Sequence, residues 1–300
     1  MAVARQVAWL EQAVSAAVVS AGAQVVAPGE AEALIWGFGP AEELESLLAD
    51  APAIAWVQLS AAGVEGYRRL FDDGRVWTSM KGAFAAPVAE HALALALAGL
   101  HDLPRRARAR TWEEKGGRTL SHARVVVLGG GGVAEELLRL LEPFQAEVTV
   151  VRKRPRPMPG AALVLRDDEL SAAISGVDLV ILAAALTPET QGMIGKEELQ
   201  RMGPRCWVVN VGRGPLLRTD ELVRALQENW IAGAALDVTD PEPLPDDHPL
   251  WRLPNCLITP HTANPAEYER DELVRTVRTN IRARIEGRPL EGRVDVGLGY

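Results

Sequence analysis

Of the five histidines in these 300 residues, one stands where side chains do chemistry. His261 follows an apolar run at 256–259 and Pro260, which reads as a strand and its end. Two other apolar runs also end in reactive side chains. Residues 207–211 lead through Gly212 to Arg213 and Gly214, and 234–238 lead past Asp237 to Glu242. An imidazole exchanges protons near neutral pH. A guanidinium holds a carboxylate by paired hydrogen bonds and polarises a carbonyl. A lone surface Arg, Glu or His is ordinarily just solvated. Three of them at strand ends lie on the edge of a parallel sheet where ligands bind. The other histidines read blandly: His91 as a core or interface residue of an apolar helix, His101 and His122 in polar connections, and His248 in a turn-rich loop.

A second kind of chemistry is written at 125–138, VVVLGGGGVAEELL. It reads as a buried strand, a glycine turn and a helix start. Gly129, Gly131 and Ala134 occupy the positions of a G-x-G-x-x-G/A pattern. The first glycine allows the tight turn, the second the approach of a pyrophosphate, and the small third residue close helix–strand packing. The helix N-terminus adds free N–H groups and a positive dipole end. In NAD-specific versions an acid at the end of the next strand binds the ribose 2′-hydroxyl. Here that strand, ending at Val151, is followed by Arg152, Lys153 and Arg154. No carboxylate repels a 2′-phosphate there, so the sequence favours NADP(H), with NAD(H) the alternative.

These residues need a scaffold, and the pattern supplies an α/β one. Short strands are predicted at 33–36, 54–59 and 75–78, with helices at 42–48 and 65–71 between them. A long apolar helix, opened by Pro87, covers 88–100. A second strand–helix series then begins. Strands are predicted at 124–128, 148–151, 163–165, 179–183, 207–211, 234–238 and 256–259. Helices are predicted at 133–141, 168–174, 196–200 and 219–229, and an amphipathic helix at 267–286. Near-continuous Val/Ile/Leu strands alternating with helices mean parallel sheets covered on both faces. The first 30 residues give no firm assignment.

Bulk properties narrow the classes further. The net charge of −8 argues against nucleic acid or an anionic membrane as partner. The arginines at 105, 106, 108 and 110 read as a solvated helix face or a domain connection. Two cysteines, Cys206 and Cys256, are too few for a disulfide scaffold or a thiolate zinc site, and no metal site is expected. They fit a reducing cytoplasm. Arg5, Glu11 and Gln12 interrupt any secretory leader, and Glu90 and His91 interrupt the longest apolar stretch.

The ordered motifs resemble the D-isomer-specific 2-hydroxyacid dehydrogenase family. They are PVAEHAL at 87–93, the glycine turn, LTPET at 186–190 and NVGRG at 210–214. ALDV at 235–238 continues to EPLP at 242–245, and PN at 254–255 to TPHTA at 259–263. Within the family, 56–65 is similar to glyoxylate/hydroxypyruvate reductase members. The resemblance implies two Rossmann-like domains flanking a cleft: a flavodoxin-like substrate domain from both chain ends (1–92 and 267–300) and an inserted dinucleotide-binding domain (93–266). It implies that Arg213 binds the substrate carboxylate and carbonyl, and that His261 is the acid/base paired with Glu242. Ala62 and Gly63 fall where backbone amides bind the carboxylate. The implied cofactor residues are Gly129, Gly131, Gly132, Val133, Ala134, Arg152, Lys153, Arg154, Ala184, Ala185, Thr190, Val211, Gly212 and Asp237, the last on the nicotinamide side.

The expected function is NADP(H)-dependent reduction of a small 2-oxo acid, glyoxylate or hydroxypyruvate favoured, by a cytoplasmic homodimer. The apolar helix at 88–100 supplies a surface in need of a partner. Formate dehydrogenases of the superfamily carry Gln where Glu242 stands, which argues against formate. The alternatives are a non-catalytic, cofactor-sensing or corepressor-like protein, and a dehydrogenase of a larger or phosphorylated acid.

Overall fold

A computed structural model describes residues 1–4, 8–71, 74–112 and 114–299. The chain divides into two compact units, 1–84 with 264–300 and 85–263.

The first unit begins with β1 (Ala2–Ala4), α1 (Ala8–Ser20), β2 (Ala33–Trp36), α2 (Ala41–Asp50), β3 (Trp56–Leu59) and β4 (Val76–Thr78). The strands form a parallel sheet in the order β1-β2-β3-β4. Beyond β1 the chain at 24–26 adds two hydrogen bonds, from the Val26 N–H to the Met1 carbonyl (2.9 Å) and from the Met1 amino group to the Gln24 carbonyl (2.7 Å). Counting that edge segment, the order is the 2-1-3-4-5 of flavodoxin-like sheets. Every residue of β2 and β3 is buried, as expected for strands covered on both faces. In α2, Ala41, Leu44 and Leu48 point inward at helical spacing. No sequence pattern marks β1 or α1. A three-residue strand carries too little alternation, and α1 is apolar on most faces.

The second unit opens with α3 (Ala85–Leu100) and the short α4 (Leu103–Arg106). It continues β5 (Arg124–Leu128), α5 (Gly132–Leu141), β6 (Glu147–Val151), β7 (Leu163–Leu165), α6 (Leu170–Ala173) and β8 (Leu179–Leu182). Then follow α7 (Lys196–Met202), β9 (Trp207–Asn210), α8 (Thr219–Gln227), β10 (Gly233–Leu236) and β11 (Cys256–Ile258). The long α9 (Ala266–Ile285) belongs to the first unit.

The seven strands are parallel, in the order β11-β10-β9-β8-β5-β6-β7. The order reverses between β5 and β8, the switch point at which doubly wound sheets bind ligands beyond the strands' carboxyl ends. Two apolar clusters cover the two faces. One is built on Val126, Val180, Val208 and Leu236, the other on Val125, Val127, Ile181 and Val209. The second cluster includes Ala89, Ala92, Leu95, Ala96 and Leu100 of α3 together with Leu137, Leu138 and Leu141 of α5. That packing places the whole of α3 in this unit, whereas the boundary read from the sequence at 92/93 cuts through the helix. The helix also starts two residues before Pro87, which still lies in the first turn, where no backbone N–H is needed.

Both cysteines are buried free thiols. Burial pushes both up, Cys256 to about 12, so neither is poised as a thiolate.

Candidate functional site

The glycine turn is built as its spacing predicts. Gly129 has φ +112°, and a Cβ there would lie 2.5 Å from the Ala183 carbonyl oxygen, so only glycine fits between β5 and β8. Gly131 caps α5 without a side chain, and a Cβ on it would meet nothing within 4 Å. The first-turn amides, Gly132, Val133 and Ala134 among them, therefore present an open face at the positive end of a ten-residue helix. Ala134 is fully buried, which lets the helix lie against the sheet. This cradle fits the pyrophosphate of a dinucleotide.

Beside it the three cations differ. Arg152 is half-buried and its side chain lies across Gly130, with Nη1 3.5 Å from Met158 Sδ. Lys153 is exposed and pairs with Glu189 at 3.6 Å; Arg154 is exposed. No acid stands at the end of β6.

The candidate catalytic residues lie at the ends of β9, β10 and β11. Asn210, fully buried, folds the turn after β9: its Nδ2 donates to the Arg213 carbonyl (3.0 Å) and its Oδ1 accepts from the Gly212 N–H (3.1 Å). Half-buried Arg213 donates from Nη1 to the Gly212 carbonyl at 2.7 Å. The next residue must be glycine, because a Cβ at Gly214 would sit 1.8 Å from the Thr239 carbonyl oxygen. The turn bearing Arg213 is thus pressed against the loop bearing Glu242. In that loop Thr219 Oγ1 donates to the Asp240 carbonyl at 2.6 Å. Glu242 and His261 meet directly, Nδ1 to Oε1, at 2.5 Å. Both are exposed, so the pair contributes little to stability. Its effect is to fix the ring's orientation and tautomer.

His261 has a left-handed backbone (φ 52°). Asp237, 2 % exposed, holds it so. The Asp237 carbonyl accepts the His261 N–H (2.8 Å), and its carboxylate accepts the N–H groups of Thr262 (3.0 Å) and Ala263 (3.1 Å). The Thr259 hydroxyl donates to the same carboxylate at 2.6 Å. With that hydroxyl proton committed, His91 Nε2 is the donor toward both Thr259 Oγ1 (2.9 Å) and Asp237 Oδ1 (3.2 Å). Burial raises the Asp237 pKa, but the hydrogen bonds from His91, Thr259, Thr262 and Ala263 outweigh it, and the carboxyl stays below its usual value. His91, read from the sequence as core or interface, is a partner of this anchor. Asp237, assigned to the cofactor by resemblance, has its carboxylate occupied by the turn that carries His261. No sequence signal joins residues 91, 237 and 259, which meet only through the fold.

The remaining expected residues are placed as follows. Ala184 and Ala185 follow β8, and the Ala184 nitrogen lies 2.8 Å from the place of a Cβ on Gly129. Thr190 Oγ1 donates to the Ala185 carbonyl at 2.8 Å and so closes the turn at 185–190. Val211 is buried in the core, leaving its backbone at the strand end. In the first unit, Ala62 and Gly63 lie in the turn after β3, where the Ala61 carbonyl accepts the Met80 N–H at 3.0 Å. Among the described residues no group of three or more His, Cys, Asp or Glu is placed to hold a metal ion. No described helix is long and apolar enough to cross a membrane.

The NAD binding domain profile of the D-isomer specific 2-hydroxyacid dehydrogenases matches residues 91–263, more than half of the chain. The chain belongs to that family. As an NAD(P)-dependent D-2-hydroxyacid dehydrogenase it has relatives at two distances. It is 38 % identical over 255 residues to an uncharacterized protein of the proB 3′ region of Corynebacterium melassecola, covering 82 % of this chain and 84 % of that one. It is 32 % identical over 175 residues to human glyoxylate reductase/hydroxypyruvate reductase, covering 58 % of this chain and 53 % of the human protein, about half its length. A crystal structure of a D-isomer specific 2-hydroxyacid dehydrogenase from Xanthobacter autotrophicus, in complex with NADPH and MES, superposes with TM-score 0.87 at 27 % identity. That match covers 100 % of this chain and 99 % of the Xanthobacter one. The dehydrogenase assignment is consistent with a glycine cradle and a His261–Glu242 pair within one unit.

Proposed function

We propose that this dehydrogenase reduces a small 2-oxo acid, glyoxylate or hydroxypyruvate, to the D-2-hydroxy acid with NADPH. The observation that carries the reading is the His261–Glu242 pair at the carboxyl edge of a sheet whose glycine turn fits a dinucleotide. The substrate class is supported by the reductases among its relatives, the human one included. The cofactor is supported by Arg152 beside the glycine turn and by the NADPH held in the Xanthobacter neighbour.

A nicotinamide cofactor held in the glycine cradle would supply the hydride for C2 of the oxo acid. Arg213 holds the carboxylate and the carbonyl oxygen, so that negative charge developing on that oxygen is stabilised. His261 Nδ1–H donates to Glu242, which leaves the ring's Nε2 to carry the exchanging proton. His261 would pass that proton to the carbonyl oxygen, where it completes the alcohol. Asp237 and His91 act on this step through the position of His261.

The test is a parallel assay of glyoxylate, hydroxypyruvate, pyruvate and longer 2-oxo acids with NADPH and NADH, followed by consumption of the reduced cofactor. Fastest turnover is expected with glyoxylate or hydroxypyruvate and NADPH. Nucleotide binding without turnover of any 2-oxo acid would instead support a sensing role. Turnover confined to longer or phosphorylated acids would overturn the substrate class.

A further inference from the structure

The glycine turn holds four consecutive glycines, and the dinucleotide pattern accounts for the type of only some of them. Gly129 is required by its φ and by Ala183, and Gly131 leaves the approach to α5 open. Gly130 is the x between them, and its backbone makes no such demand. It is absent from the residues with positive φ, and no backbone atom is among the three nearest to the place of its missing Cβ. What lies there is Arg152. A Cβ on Gly130 would meet Arg152 Cδ and Nε at 2.7 Å and Cζ at 2.9 Å.

The rest of Arg152 is fixed around that seat. Its N–H donates to the Leu165 carbonyl at 3.0 Å, which ties the backbone to β7. Its Nη1 contacts the sulfur of Met158, itself 6 % exposed. The guanidinium is therefore held between a buried thioether and a bare glycine Cα, directly beside the phosphate cradle. Arg154 has an exposed side chain, and that of Lys153 is drawn to Glu189. Of the three cations after β6, Arg152 is the one the structure prepositions.

We propose that Gly130 is a positioning residue for cofactor choice: the absence of its side chain seats the Arg152 guanidinium, backed by Met158, against the 2′-phosphate of NADPH. The inference rests on the NADP(H) reading above and extends it to a residue outside the dinucleotide pattern. The obstructed group is the flexible arm of an arginine and not backbone, so an added methyl displaces Arg152 and leaves the fold intact. A charged hydrogen bond to phosphate is lost with it, which predicts a fall of about tenfold or more in discrimination.

The experiment measures dissociation constants for NADPH and NADH by titration on four forms of the full chain: native, Gly130→Ala, Arg152→Ala and the double variant. Expected is a native preference for NADPH that Gly130→Ala lowers by about tenfold or more, NADH affinity being little changed. Because Gly130 acts through Arg152, adding Gly130→Ala to Arg152→Ala should produce no further loss. Met158→Leu, which keeps the volume and removes the sulfur contact, should lower the preference in the same direction by less. Melting temperatures should agree within about 2–4 °C. A Gly130→Ala protein that keeps the native preference, or loses it equally in the Arg152→Ala background, overturns the role of Gly130 alone. A Gly130→Ala protein that does not fold also overturns it, since the backbone then requires the glycine. A native protein without NADPH preference overturns the cofactor reading itself, and the proposal with it.

Discussion

His261 pays a backbone penalty to stand where it does: a left-handed conformation costs an ordinary residue about 1–2 kcal/mol. Asp237 offsets that cost with one carbonyl and two carboxylate oxygens, all directed at 259–263. Because the folded Asp237 pKa is depressed, its stabilisation is complete above the unfolded value of about 3.9 and is lost as pH falls through the lower folded value. Asp237→Asn should therefore cost about 1–3 kcal/mol at pH 7. The deficit against the native protein should shrink once pH drops below about 4. Urea unfolding across pH checks this, and a deficit that stays constant into strong acid would contradict it. The candidate side chains at the strand ends were legible in the sequence, because Arg213, Glu242 and His261 each follow an apolar strand. The supporting ones were not. His91 sits in an apolar helix like any core residue, and its partners lie well over a hundred positions downstream.

At the scale of elements, two loops from different strand ends have to touch. The β9 turn and the loop after β10 approach until Gly214 meets the Thr239 carbonyl, and this contact sets Arg213 beside the Glu242 loop. Gly214→Ala collides with backbone, which cannot rotate aside as a side chain can. The variant should lose about 1–3 kcal/mol or more of stability. It should also lose most of its kcat/KM; a melting scan with the standard assay reads both. Native stability together with native kcat/KM would show that the loops do not depend on this contact. Most strands of the second unit could be read from the sequence to within a residue, because fully buried parallel strands are continuous apolar runs. The second glycine of the NVGRG stretch was visible too, but its reason was not, since Thr239 arrives from the loop after another strand. Elements with weak patterns escaped, notably β1 and α1.

At the scale of the whole molecule, the sequence conveyed two α/β units with one inserted in the other. It did not convey strand order, which is decided by pairings distant in the chain. The observed order places β5 and β8 side by side and so puts the glycine turn on the same sheet edge as His261. Under the proposed function one edge carries two tasks, the cofactor at β5 and β6 and the proton at β10 and β11.

That separation is tested most directly by His261→Asn, assayed for kcat with glyoxylate and NADPH and, in parallel, for NADPH affinity by titration. Expected is a kcat lower by about 10²–10⁴-fold with the NADPH dissociation constant unchanged. A kcat close to native, with NADPH still bound, would contradict it, because the proton would then come from somewhere other than His261.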